Sequence, residues 1–544
     1  MATPDTAAIA SVPRQLAERA WVWLNRQTFN PVFVRDARSM FRGKRTVGLQ
    51  LLYVIALMAV MGISSWILYE TRTVRMGSRA SLAEFGQWIF IGVFETQAVL
   101  LMLIVVAYSA GAISLEREKQ TYEVLAITSL TSAEVVVGKI ASITSLCYLL
   151  MFTSLPLAAF SLFFGGVSPA DMAVCYGLLA LKIPLWAAVG VMSSILAGRS
   201  IGAHVLALIA VGAENVFSLI LVDGGIPGNV LIGLFSPFLA PASATDPSFQ
   251  FCLFNWHIPP WLFPIPYAAL LTALLIVGAA EAMPHYRPKR SPLLRSLLLA
   301  VSFFMVFLMT AIMSAGSRRG TASVPLMGVL TLVWIWAVAF VPVFTSYPVD
   351  ADQEKEGMGW SVVGPARWLE RDARAGGGFC LLLWGATLAG ALIAAELSVL
   401  SSHTHRLPGQ WPGAPELIVG LAVLALSIIA YSAWGATLAI IHRARRESAL
   451  ATLLLILAMN SLAAIYAMGY HLMRKVPSAP PLVLASPAAA ASVVLTGAGR
   501  WSVWHRFTLE QALVYGLGYS LALLCGAYLY YRIAKHRQVH AHDG

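Results

Sequence analysis

Of the 544 residues, 58% are hydrophobic and 12% charged, and the mean hydropathy is +0.73. A soluble domain carries about 25% charged residues, so these values exclude a soluble globular protein and leave an integral membrane protein with many spans. The net charge of +11 does not point to nucleic acid. Lys and Arg cluster between apolar runs, where they set topology and meet anionic lipid heads.

A helix crosses the hydrocarbon core in roughly 20 apolar residues. In lipid every backbone N–H and C=O needs an internal partner, so spans are helices or closed barrels. The apolar runs here are uninterrupted, unlike the alternation of a barrel strand. The fold class is therefore all-α and polytopic.

The first element lies in the N-terminal segment, 1–46. Residues 1–30 hold Arg14, Arg19 and Arg26 without an apolar core, so the first span is expected to serve as the targeting signal. In "NPVFVRDARSMFRGKRT", Phe33, Ala37, Met40 and Phe41 repeat at helical spacing, with Arg35, Arg38, Arg42 and Arg45 largely opposite. That pattern predicts a helix lying in the membrane interface. Asn30 suits its cap and Pro31 its first turn.

Six spans follow, at roughly 47–69, 87–113, 136–164, 171–197, 200–222 and 261–282. Between the second and third sits a charged island, "SLEREKQTYEVLAITSLTSAEVVVGK", Ser114 to Lys139. Glu116, Lys119 and Glu123 share one helical face, with Tyr122 and Leu125 on a neighbouring one. This predicts a short amphipathic helix under the membrane, within 114–135. Thr131 and Glu134 form a T-x-x-E capping box where the third span should begin.

Residues 283–544 repeat the topology without repeating the sequence, with spans at roughly 296–316, 324–346, 379–401, 416–441, 449–471 and 509–531. The expectation is thus about twelve spans as two six-helix halves, the second a divergent repeat or a set of accessory spans. The segments "PGNVLIGLFSPFLAP" and "PPLVLASPAAAASVVLTGAG" precede the last span of each half. Both read as re-entrant or interfacial pieces. The Lys/Arg distribution puts both termini and the charged island in the cytoplasm.

Glu95, Lys182 and Glu214 fall inside predicted spans, at similar depth. Intramembrane charges face a partner or a wet cavity, and Lys182 is expected to pair with Glu214 or Glu95. His403, His405, His536, His540 and His542 have no acidic or Cys partner at ligand spacing, and no CxxC occurs, so no metal site is expected.

The charged island resembles type-2 ATP-binding-cassette (ABC) transporter permeases. It carries Glu116-Arg117-Glu118, then Thr121, Glu123 and Leu125, then Thr128-Ser129-Leu130, then Glu134 and Gly138-Lys139. Ser129 stands where the family usually has proline. "NPVFVRDARSMFRGKR" is similar to the family's interfacial helix, and the likeness extends over residues 30–282. The resemblance implies a permease subunit, with the first half, 47–282, of that architecture. Segment 114–135 would be the coupling helix, with Glu116, Arg117, Glu118, Thr121, Glu123, Leu125 and Thr128 meeting a separate ATPase.

No G-x-x-x-x-G-K-[ST] phosphate cradle occurs in the chain. It is therefore expected to be no enzyme and to hold no cofactor, ATP and Mg being bound by the partner. Expected partners are the ATP-binding subunit, the lipid bilayer, and either a second permease copy or an auxiliary membrane protein. The location implied is the bacterial inner membrane, and the activity an exporter's. The alternative is a secondary transporter driven by an ion gradient, which would leave the cytoplasmic island without a role.

Overall fold

Asn30 and Pro31 open the first helix. The Asn30 side chain accepts from the Val32 N–H, and Pro31 occupies the first helical position, where no N–H is needed. The structure, a computed structural model, describes residues 30–68, 82–122, 130–197, 199–223, 251–253, 256–258, 264–283, 293–316, 373–401, 414–442, 449–458 and 509–542, with a few single residues and short pieces between.

In chain order the helices are α1 (Pro31–Phe41), α2 (Lys44–Leu68), α3 (Leu82–Ala110), α4 (Ser114–Glu118), α5 (Ser132–Phe160), α6 (Pro169–Leu196) and α7 (Ser200–Asp223). Two three-residue strands, β1 (Phe251–Leu253) and β2 (Trp256–Ile258), form a small sheet. Then come α8 (Pro264–Ala282), α9 (Leu293–Gly316), α10 (Ala373–Ser401), α11 (Ala414–His442), α12 (Ala449–Ala458) and α13 (Leu509–His542). Seven of these, α2, α3, α5, α6, α8, α11 and α13, are long and apolar enough to cross a membrane. In α7, α9, α10 and α12 the described apolar stretch is shorter, at 10–17 residues. The predicted span at 324–346 lies largely outside the described residues, as do most residues of the two re-entrant segments.

The chain divides into two compact units at Pro288/Lys289, with Leu253–Trp256 grouped with the second. In the first unit α6 is the central helix, packed against α3, α5, α7 and α8, while α2 lies against α3 and α5. Burial follows this layout. Leu179, Ile183, Trp186 and Val191 of α6 are fully enclosed, whereas Leu51, Leu52, Met58 and Trp66 of α2 are exposed, a face suited to lipid.

Close approach of α3 and α6 rests on Gly190. A Cβ there would run into the Ser109 side chain and lie 3.3 Å from the Ala110 nitrogen. Small residues let membrane helices come this near. Gly190→Ala will therefore destabilise the unit by about 1–3 kcal/mol through overpacking, read as a lowered unfolding midpoint in detergent. Ser109→Gly in the same chain should recover most of it.

A buried polar cluster joins these two helices to α5. The Gln97 carbonyl oxygen accepts from the Ser154 hydroxyl and from the Tyr176 hydroxyl at 3.1 Å. The helix α6 starts with a capping box between Ser168 and Asp171. Phe164 packs edge-on against Phe85 at 5.1 Å and Phe160 at 5.3 Å.

In the second unit α9 packs on α10, α10 on α11, and α11 on α13. The Trp434 indole donates to the Leu523 carbonyl at 2.8 Å, and the buried Arg295 lies over the Phe379 ring at 5.1 Å.

Candidate functional site: a polar joint at one end of the first unit

The charged island does not form one helix across 114–135. Its described part breaks after five residues of α4. Gln120 adopts φ +57. Its N–H donates to the Arg117 carbonyl at 3.1 Å, and the Thr121 N–H to the Glu116 carbonyl at 2.9 Å. These two bonds, with a left-handed residue between them, make a Schellman ending. Lys119, Gln120 and Thr121 are left exposed at its tip. Glu123, Leu125 and Thr128 lie outside the described residues. The chain is described again from Leu130. Thr131 then caps α5 in the expected box, with Glu134 reaching back to the Thr131 N–H at 2.8 Å.

The triplet Glu116-Arg117-Glu118 is turned toward the chain's own helices. One oxygen of Glu116 accepts from the Lys139 ammonium at 2.8 Å and from Arg35 at 3.3 Å. Lys139 also reaches Asp36 at 3.3 Å. Two cations and two carboxylates thereby join α1, α4 and α5. The Lys139 side chain is only 5% exposed, and those of Asp36 and Glu116 are 17% and 21% exposed. A buried cation is tolerable only where opposite charge and hydrogen bonds replace its water. Arg35, 55% exposed, contributes far less, since exposed pairs give about 0–1 kcal/mol.

The helix α1 is held to α5 beside this cluster. Val32 and Ala37 are buried, and Asn30 donates to the Glu134 carbonyl at 2.5 Å. Gly138 makes room, since a Cβ there would come within 3.0 Å of Val32 and the Asn30 amide. The apolar face of the helix is therefore shared between lipid and the chain itself. Part of that face packs on α5, because Asp36 must reach Lys139. Phe41 stays exposed.

Arg117 and Glu118 face the turn between α6 and α7. Arg117 donates to the Ile195 carbonyl at 3.1 Å and lies over the Tyr122 ring at 5.2 Å. Glu118 accepts from the Ser200 N–H at 2.7 Å and from its hydroxyl at 3.1 Å. In return the Ser194 hydroxyl oxygen accepts from the Ile113 and Ser114 N–H groups at 3.0 and 2.8 Å. His204, one turn into α7, places its ring nitrogens 2.7 Å from the Ser200 carbonyl and 3.1 Å from the Ala107 carbonyl.

The Ser200 backbone N–H, then its hydroxyl, hold the Glu118 carboxyl below its ordinary pKa, aided by Arg199. A carboxyl whose pKa is lowered on folding contributes its stability above the unfolded value and loses it as pH falls through the folded one. The contact will therefore persist at neutral pH and open only below the usual carboxylate range. Hydrogen exchange at Ser200 followed downward in pH, against Glu118→Gln as reference, reads this directly.

The intramembrane charges are not assembled into one described cluster. Lys182 is buried on α6, with its ammonium 5.4 Å from the centre of the Tyr267 ring on α8. Glu95 is exposed on α3 and forms no ion pair with Lys182 among the described residues. The Glu214 side chain lies outside the described residues. No group of three or more His, Cys, Asp or Glu suited to a metal occurs among the described residues.

Sequence reasoning missed Asp36, Ser194, Ser200 and His204. Asp36 left one signal, as the lone acid in an arginine-rich helix. Ser194 and Ser200 left none, because serine is common in spans and their partners lie about eighty positions away in the chain.

Together the fold and the joint define a multi-pass helical membrane protein. No protein-family model matches the chain, and neither does any curated protein or solved structure.

Proposed function

We propose that the chain is the transmembrane permease subunit of a type-2 ABC transporter, an exporter of the bacterial inner membrane with both termini in the cytoplasm. A separate ATP-binding subunit would supply the energy, since the sequence contains no phosphate cradle of its own. On this reading the chain carries about twelve spans in two halves, and the part of the link that follows Glu118 faces the partner.

The observation that supports this best is the joint. A polar link between two long apolar helices carries the Glu116-Arg117-Glu118 triplet and is tied to an interfacial helix and to two further helix ends. Buried charges need such partners in any connector. An element that receives force from outside the membrane needs all of them, because force passes only through contacts that hold.

The test is purification of the tagged full chain from its own membranes in mild detergent. An ATP-binding subunit should co-elute in stoichiometric amount, with vanadate-sensitive ATP hydrolysis. Elution of the chain alone, with transport that collapses on dissipating ion gradients and ignores ATP, would instead establish the secondary-transporter reading.

A further inference from the structure

We infer that Arg117 and Glu118 are positioning residues. They clamp the link between α3 and α5 onto the turn between α6 and α7, so that a push on the link also moves α6 and α7. The inference deepens the permease reading and rests on it for the source of the push. The clamp itself is a property of this chain alone.

The physical basis is a match of charges to helix ends. The last turn of α6 leaves carbonyls without helical partners, and the first turn of α7 leaves N–H groups in the same state. The two ends carry partial negative and partial positive charge respectively. They adjoin, because only three residues separate Leu196 from Ser200. Consecutive residues of α4 meet them with the complementary signs: the Arg117 guanidinium at Ile195, and the Glu118 carboxylate at Ser200. Ser194 closes the circuit from the other side by accepting from the start of α4. The sign pattern is directional, since exchanging Arg117 and Glu118 would place each charge against the wrong end.

The same geometry divides the link into two faces. Arg117 and Glu118 are occupied within the chain. Glu118 is exposed but bonded to Ser200, whereas Lys119, Gln120 and Thr121 stand exposed at the Schellman turn, where a partner can meet them. Loss of the Glu118 carboxylate should therefore uncouple the partner without releasing it.

The experiment uses the full chain in nanodiscs, alone and with its co-purified ATP-binding subunit. Alone, Glu118→Ala should speed hydrogen exchange of the α7 amides from Ser200 to Ala203 roughly fivefold, the loss of one helix cap. Glu118→Gln, which keeps an acceptor for the Ser200 N–H, should recover part of that protection. In the complex, Glu118→Ala should leave the amount of bound subunit and its KM for ATP unchanged while the transport-linked maximal rate falls. Lys119→Glu should reduce the amount bound. Unchanged exchange in Glu118→Ala would overturn the clamp, and so would release of the subunit by Glu118→Ala with coupling intact in what remains. Should the wild-type chain yield no ATP-binding subunit, the permease reading fails, and the exchange measurement still decides the clamp.

Discussion

Replacing Lys139 by alanine will cost about 3–5 kcal/mol of stability, the range for removing one member of a buried charge cluster. The reason lies in what remains. Asp36 and Glu116 both turn toward the ammonium, at 3.3 and 2.8 Å. Without it, two like charges share a largely buried site served only by the exposed Arg35. One Glu116 oxygen is already buried with no hydrogen-bond partner among the described residues, so the site has little slack. The loss is read by equilibrium unfolding in mixed micelles, alongside proteolysis of the segment carrying α1, which the cluster ties to α5. The combination Asp36→Asn, Lys139→Met, Glu116→Gln removes all three charges at once and should restore most of the stability, since apolar or neutral replacements of a whole buried cluster are often neutral. A Lys139→Ala chain within about 1 kcal/mol of the wild type, the size of an exposed pair, would show that the cluster is solvated and structurally idle.

Ser194→Ala ranks second. A single hydroxyl oxygen satisfies two backbone donors, Ile113 and Ser114, and all three residues are fully buried. Leaving a buried donor unmet costs about 1–3 kcal/mol, so two together should cost roughly 2–4 kcal/mol if water cannot enter. The effect should be local first. Exchange at Ile113 and Ser114 should rise before the bundle as a whole weakens, because α4 loses its anchor on α6 while α3 and α6 still pack at Gly190. Ser194→Thr keeps the acceptor and should lie near the wild type. Equal exchange rates at Ile113 and Ser114 in wild type and Ser194→Ala would refute the assignment.

Which of these features were legible beforehand follows from the range of the interaction. The Asn30–Pro31 start and the Thr131–Glu134 box are contained within four residues, and both form as the sequence implies. The Ser168–Asp171 box was equally local and could have moved the start of α6 forward from residue 171. The break after Glu118 was harder to see. Gln120 occupies a left-handed position where glycine is usual, so the residue type gave no warning and helical periodicity ran straight through it.

The sequence by itself determined that this is a helical, multi-pass membrane protein, where most of its helices run, and that a charged element interrupts two of them. Those properties come from composition, length and period, which act along the chain. Only the tertiary structure decided what the charges face. Glu116 meets Lys139, Arg117 meets Ile195 and Glu118 meets Ser200, across sequence separations at which no period operates. Periodicity tells which face of a helix a residue occupies, and packing alone supplies the partner opposite.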